Sequence, residues 1–204
     1  MMTETRIDYP TWRYNMESSI SWETDIEKAH ERAKSEHLPI LLFFHNPDWI
    51  GCQQMDAVTY PDNEVIQFIQ KSFIPLQLAY DVKPESVDFN IKWTPTLITL
   101  GPDSREHHRT VGFLDPDGFI ANSILGIGKY HFDNDRYSEA LSFFKDIITD
   151  HSKSDVVAEA IFLQGVSLYK NSGEAIHLKK AYESLSSRYP DSEWTTRAYP
   201  YRLL

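Results

Sequence analysis

The sequence is poor in cysteine: Cys52 is the only one among 204 residues. A single thiol excludes a disulfide within the chain and a metal site closed by cysteines alone. A protein folded in an oxidising compartment often relies on such disulfides, so their absence favours a reducing one. We therefore expect a cytoplasmic protein.

Long apolar runs and excess positive charge are also missing. No apolar stretch approaches the ~20 residues that a membrane-spanning helix needs, and residues 1–15 lack the apolar core of a secretory signal. The formal net charge of −10 repels phosphate and anionic lipid. These absences predict no membrane partner and no nucleic-acid partner. Residues 1–19 show no clear periodicity, and we interpret them as an N-terminal lead-in.

Helix and strand patterns alternate over residues 20–118. The segment 25–36 carries apolar residues on one helical face, after an expected start at 21–24. Residues 40–44 form a continuous apolar run, which is typical of a central strand covered on both faces. Strand patterns follow at 73–79, 91–100 and 109–113, with helix patterns between the first two strands. This order predicts an α/β fold with a central mixed sheet flanked by helices.

The character of the sequence changes after residue 118, where only helical patterns follow. We expect 115–118, Asp-Pro-Asp-Gly, to be a turn. We therefore predict two domains, an α/β domain over 20–118 and an all-α domain over 119–204.

Three motifs in the α/β domain lie in order along the chain. The apolar strand leads into Trp49-Ile50-Gly51-Cys52, with Met55 three residues later. Thr94-Pro95-Thr96 stands before the next strand pattern, and Gly112 follows the last one. In these motifs, residues 20–118 resemble the thioredoxin superfamily, specifically its thioredoxin-7-like branch.

The resemblance implies a role for each motif. Cys52 matches the second cysteine of the family's Cys-x-x-Cys, and Trp49 stands in place of the first, nucleophilic cysteine. Pro95 matches the cis-proline that faces the redox site, and the backbone at Thr94 matches the segment that pairs with an extended peptide. Gly112 matches the glycine after the last strand.

The chain departs from the family at the positions that carry dithiol chemistry. Exchange needs a low-pKa attacking thiolate and a second, resolving thiol, and Trp49 supplies neither. The family's buried acid falls on Phe43 and its nearby lysine on Gln77. These losses imply that thiol–disulfide exchange is absent.

An alternative register makes Cys52 the attacking thiol at the start of a helix, where the helix dipole lowers a thiol pKa. It requires a three-residue insertion before Cys52 and leaves Met55 in the place of the resolving thiol. Cys52 would then be a monothiol catalytic residue.

The predicted all-α domain resembles tetratricopeptide repeats over about residues 120–191. The first unit opens at Ile124-x2-Ile127-Gly128 and continues with three residues at the repeat's offsets: Tyr137, Ala140 and Phe144. A weaker second unit runs from Ile161 to Pro190, and 191–204 suits a capping helix. Such repeats usually need three or more units to be stable. We therefore expect these two units to pack against the first domain or to form a homodimer. They provide either a partner-binding groove or an extension that completes the core.

Three functions follow as hypotheses, the last of which is a scaffold without redox activity that serves only assembly. The first is a protein- or peptide-binding adaptor that uses Trp49, Thr94, Pro95 and Gly112 together with the helical repeats. The second is a monothiol oxidoreductase or redox sensor that uses Cys52. The histidines at 45, 107 and 108 lack the spacing of a metal site, so we predict neither a metal nor a cofactor.

Overall fold

The computed structural model describes residues 19–204, so most of the predicted lead-in over 1–19 lies outside the described residues. The elements are, in chain order, α1 (Ile26–Glu36), β1 (Ile40–His45), α2 (Ile50–Gln54) with a π-helical turn (Met55–Thr59), α3 (Asn63–Ser72), β2 (Ile74–Ala79), α4 (Glu85–Asp88), β3 (Thr96–Leu100), β4 (Glu106–Val111), α5 (Pro116–Asp133), α6 (Tyr137–Asp150), α7 (Val157–Ser172), α8 (Ile176–Arg188), α9 (Glu193–Ala198) and a 3-10 turn (Tyr199–Leu203).

The four strands form one mixed sheet in the order β2-β1-β3-β4. Strand β1 pairs with β2 in parallel and with β3 antiparallel, and β4 pairs antiparallel with β3. One face of β1 packs Leu41 and Phe43 into a core with Cys52. The opposite face packs Ile40, Leu42 and Phe44 into a second core that includes α1 residues. The predicted α/β fold with a central mixed sheet is confirmed.

The start of α1 lies later than the sequence predicted. The carboxylate of Asp25 accepts hydrogen bonds from the N–H groups of Glu27, at 3.0 Å, and Lys28, at 3.2 Å, which caps the helix. The expected helix start at 21–24 is wrong, because Glu23 instead makes an isolated parallel bridge to Leu76 in β2.

The predicted turn at 115–118 is also wrong, because this segment begins α5. The Asp115 carboxylate accepts a hydrogen bond from the Gly118 N–H at 2.8 Å, and Pro116 occupies the first turn, where its missing N–H has no cost. Residue 119, the predicted start of the second domain, therefore lies inside a helix.

Helix α5 contributes buried residues to two hydrophobic cores, that of the sheet and that of the helical region. Phe119 and Ile127 pack into the sheet core beside Cys52, whereas Ile124 and Leu125 pack into the core of the helical region. The two halves of the chain therefore share α5.

Helices α6 to α9 form the rest of the helical region. Its core is built from alanines and bulky apolar residues, among them Ala140, Phe144, Ile161 and Leu185. Helix α9 closes the end, where Trp194 lies 5.3 Å from Phe162 between ring centroids. The prediction of a helical C-terminal region is confirmed, and its identity as tetratricopeptide repeats stays a prediction.

Candidate functional site

Cys52 lies inside helix α2 and not at its start. Trp49 is the N-cap residue, with extended backbone angles, and Cys52 is the third residue of the helix. The Cys52 side chain is 0% exposed. The backbone N–H of Asn46 donates a hydrogen bond to its Sγ at 3.3 Å. Trp49 thus occupies the helix start, where the alternative register requires the cysteine.

Burial raises the pKa of the Cys52 thiol above its ordinary value. Hydrogen bonds from the Asn46 N–H and from the Thr94 side chain favour the thiolate, but they do not reverse the effect of burial, and the nearby Asp56 carboxylate raises the pKa further. Attack on a disulfide needs the thiolate. The site therefore holds a neutral, enclosed thiol at neutral pH.

Phe43 and Gln77 lie directly opposite each other in the β1–β2 pair. These are the two positions where the resemblance expects an acid and a lysine. Phe43 is fully buried, and its ring lies 5.7 Å from that of Trp22 and 5.2 Å from that of Tyr60. An aromatic cluster, and not a proton-accepting carboxylate, thus fills the space beside Cys52.

Trp22 and Tyr60 were not identified from the sequence, because they lie in separate segments with no shared motif. Burial raises the pKa of the Tyr60 phenol well above its ordinary value, and the charges of Asp56 and of a Cys52 thiolate add to the effect. Tyr60 is thus a neutral core residue and cannot take over the role of the missing acid.

Above Cys52 the surface carries a pocket of about 210 Å³, here called the tryptophan groove. It is lined by Asn46, Trp49, Tyr80, Ile91, Lys92, Trp93 and Thr94. Trp49 is 45% exposed and Trp93 is 65% exposed, and their ring centroids lie 6.5 Å apart. Two large aromatic rings therefore form a pair that is partly exposed to solvent in the lining of one small depression.

Pro95 lies next to the groove, directly after the lining residue Thr94. The Thr94–Pro95 peptide bond is cis. A Cβ on Gly51 would lie 2.8 Å from Cδ of Pro95, so glycine lets the start of α2 approach the proline. The N–H of Gly112 donates to the Pro95 carbonyl at 2.9 Å. Gly112 has a φ of 105°, a conformation that favours glycine.

The structure brings all five sequence-predicted site residues to one place: Cys52, Trp49, Thr94, Pro95 and Gly112. Trp93 and Tyr80 were not singled out from the sequence. Trp93 had a usable signal, because it stands two residues before the proline that faces the start of α2. Tyr80 had none, since its position depends on where β2 ends.

Two of the histidines considered as metal ligands each pair with one aspartate. His45 Nε2 lies 2.9 Å from Asp56 Oδ2, and His107 Nδ1 lies 2.8 Å from Asp133 Oδ2 in a different part of the fold. Within residues 19–204, no group of three or more His, Cys, Asp or Glu side chains could hold a metal ion. In the same range, every helix is too short or too polar to span a bilayer.

Comparison with known proteins finds domains that are similar to the first half of the chain. The family model described as "Thioredoxin-like domain" matches residues 26–122. The thioredoxin-related protein DsbJ of Chlamydia pneumoniae is 26% identical over 113 residues, a match that covers 49% of this chain and 32% of DsbJ. The chain thus matches about a third of that relative's length.

Solved structures give similar matches. A thioredoxin from Thermus thermophilus is 22% identical with a TM-score of 0.45, and the match covers 50% of this chain and 82% of that one. The oxidised C-terminal domain of Neisseria meningitidis DsbD is 23% identical with a TM-score of 0.42, covering 49% of this chain and 94% of that one.

The sheet topology, the matched residues and the single cysteine lead to one conclusion. Residues 26–122 form a thioredoxin-like domain, related to Dsb proteins and without a Cys-x-x-Cys motif, which shares helix α5 with the helical region that follows.

Proposed function

We propose that the chain is a binding protein whose thioredoxin-like domain holds an extended peptide segment of a protein partner in the tryptophan groove, without thiol chemistry. One observation carries the proposal. Trp49 and Trp93 are both exposed and form an aromatic pair in the lining of the groove, next to the cis Thr94–Pro95 bond and close to a buried, protonated thiol.

The two tryptophans supply the binding energy. Trp is enriched among the residues that dominate protein interfaces, because a large ring buries much apolar area with little loss of conformational freedom. Trp93 and Trp49 both leave part of the ring in solvent. A bound side chain that packs against the exposed parts of both rings would remove that area from water.

The backbone beside Pro95 supplies the orientation. Among the described residues, the N–H and C=O of Thr94 have no main-chain hydrogen-bond partner. An extended peptide that passes this point can pair with both groups, as in strand addition. Such pairing uses backbone groups only, so it does not need a reactive cysteine.

The geometry disfavours a monothiol oxidoreductase or redox sensor that uses Cys52. The thiol is enclosed, burial raises its pKa, and Phe43 fills the position of the family's acid. The helical region would give the adaptor a second binding surface. Its tetratricopeptide identity, a homodimer and a cytoplasmic location stay predictions.

Selection of a random linear peptide library on the intact chain tests the proposal. We expect enriched peptides that bind under reducing conditions and whose Kd rises about thirtyfold in Trp93→Ala, because truncating a central interface tryptophan costs about 2 kcal/mol or more. Tyr169→Ala is the matched control, since Tyr169 is an exposed aromatic on α7. Peptides that bind wild type and Trp93→Ala equally well would refute the proposal.

A further inference from the structure

The helical region carries a second groove, between α6, α7 and α8, with a volume of about 220 Å³. We call it the basic groove. Its floor contains Ile148 from α6 with Ile161 and Leu168 from α7, and its edge carries His177, Lys180 and Arg188 from α8. The groove thus combines an apolar floor with a cationic edge.

The charge of this groove is opposite to that of the whole chain. The sequence has 30 acidic and 20 basic residues, yet the described residues that line the groove include no aspartate or glutamate. A lining that carries His177, Lys180 and Arg188 and no carboxylate favours an anionic occupant.

The two strong cations of the edge have no carboxylate partner among the ion pairs of residues 19–204. Both Lys180 and Arg188 are exposed. The guanidinium of Arg188 lies over the ring of Tyr189, 5.3 Å from its centroid. His177 differs, because its Nε2 lies 3.7 Å from the Glu174 carboxylate. Lys180 and Arg188 are therefore the groups available to a ligand.

The spacing along α8 suits a linear ligand. Positions 177, 180, 184 and 188 are three or four residues apart, so they share one face of the helix. Lys180 and Arg188 are separated by two turns, about 12 Å, which an extended peptide spans with about four residues. A side chain between two anionic residues would then face the floor of the groove.

Helices α7 and α8 pack closely, so the apolar side chains of α7 lie near the basic side chains of α8. A Cβ on Gly165 of α7 would fall against Cβ of Ala181 on α8, and would lie 3.2 Å from the His177 carbonyl oxygen. The backbones of α7 and α8 therefore approach closely at the centre of the groove. Ile161 and Leu168, one turn away on either side along α7, remain near Lys180 and Arg188 in the lining.

We propose that the basic groove binds a linear acidic peptide that carries one apolar side chain between its carboxylates. The apolar side chain contacts the floor, and the carboxylates lie against Lys180 and Arg188. This inference names the partner chemistry of the helical surface in the proposed adaptor, and it does not depend on the tryptophan groove.

The test uses synthetic fluorescein-labelled peptides and the intact chain. The first peptide has two glutamates four residues apart with a leucine midway between them, and the second has glutamine in place of each glutamate. We expect saturable binding of the acidic peptide by fluorescence anisotropy, weakening as salt is added because exposed charge pairs are screened. The glutamine peptide should bind about tenfold more weakly, since it loses every charge-assisted contact.

Charge reversal locates the binding site. In the double variant Lys180→Glu, Arg188→Glu, the Kd for the acidic peptide should rise about tenfold or more, from two lost attractions and two new repulsions. Lys180→Gln, Arg188→Gln should give an intermediate value. Lys145→Glu, an exposed change on α6 outside the groove lining, is the matched control and should leave the Kd within about twofold. Circular dichroism confirms that each variant is folded.

Trp93→Ala separates this inference from the proposed function, because it should leave binding of the acidic peptide unchanged. Three results would overturn the inference: no saturable binding at millimolar peptide, equal affinity for the glutamine peptide, or an unchanged Kd in both double variants. If Trp93→Ala weakens binding and the double variants do not, the acidic peptide occupies the tryptophan groove instead, and the inference is wrong.

Discussion

Alkylation of Cys52 by iodoacetamide gives a sensitive measure of how well the fold encloses the thiol. The side chain has no exposed surface in the native fold, its Sγ accepts a hydrogen bond from the Asn46 N–H, and burial raises its pKa. Reaction therefore requires an opening of the structure. We predict that the native chain reacts far more slowly than the unfolded chain at the same pH.

The size of the effect follows from the free energy of that opening. Global unfolding of a domain costs about 5–15 kcal/mol, and core segments open with free energies near the global value. Since about 1.4 kcal/mol corresponds to a factor of ten, native labelling should be at least about a thousandfold slower than labelling of the unfolded chain.

The assay follows the mass of the alkylated chain with time, in buffer and in guanidinium chloride, over a range of pH. The unfolded chain should show the pKa of a free cysteine, about 8.5. A native rate within about tenfold of the unfolded rate, with an apparent pKa below that of free cysteine, would refute the enclosed thiol and revive the monothiol hypothesis.

Three further predictions concern stability, measured by urea denaturation of the intact chain. Gly112→Ala should lower the free energy of unfolding by about 1–2 kcal/mol, because its φ of 105° is unfavourable for a residue with a Cβ; no cost would contradict this account of the glycine. Gly165→Ala should cost about 1–3 kcal/mol by crowding Ala181, and adding Ala181→Gly should recover part of that loss if direct contact is the cause. Burial, together with the Lys129 charge, lowers the pKa of His108 from 6.5 to about 4. The unfolded chain therefore binds more protons between these values, so stability should fall as the pH drops from 6.5 to 4, by up to about 3 kcal/mol from this group. His108→Gln should flatten the slope in this range, and an equal slope would contradict the prediction.

The sequence predicted the elements whose signals are local. Residues 40–44 form a continuous apolar run, and β1 is the buried central strand. A helix was predicted between the first two strands, where α3 lies, and the Asp62 carboxylate accepts hydrogen bonds from the N–H groups of Glu64 and Val65 at its start. These signals were sufficient because the period of burial and the capping side chain lie within a few residues of each other.

Two predictions of local structure were wrong, the turn at 115–118 and the helix start at 21–24. Residues 115–118 have the composition of a turn, yet Asp115 caps α5, whose continuation is fixed by two cores on opposite sides. Glu23 belongs to the sheet edge because of its bridge to Leu76, which lies more than fifty residues away. The bridge of Glu23 could not have been predicted from a local pattern, whereas Asp115 followed by Pro116 is also a local signal for a helix start.

The sequence motifs identified some residues of the candidate site but not all of the residues that line the tryptophan groove. The motifs located Trp49, Thr94 and Pro95, since each has a fixed place in the resemblance. Trp93 and Tyr80 complete the groove only because β2 and the segment before β3 end beside α2. The place of Tyr80 depends on tertiary structure alone, whereas the spacing of Trp93, two residues before Pro95, could have been used.

The most direct test of peptide binding without thiol chemistry compares Cys52→Ala with Trp93→Ala. Both variants, and the wild-type chain, are titrated with a peptide selected on the wild-type chain, with dithiothreitol present throughout. We predict that Cys52→Ala binds the peptide with a Kd within about twofold of wild type, while Trp93→Ala loses about thirtyfold in affinity. Loss of binding in folded Cys52→Ala, with binding retained in Trp93→Ala, would contradict the account and identify Cys52 as the functional group.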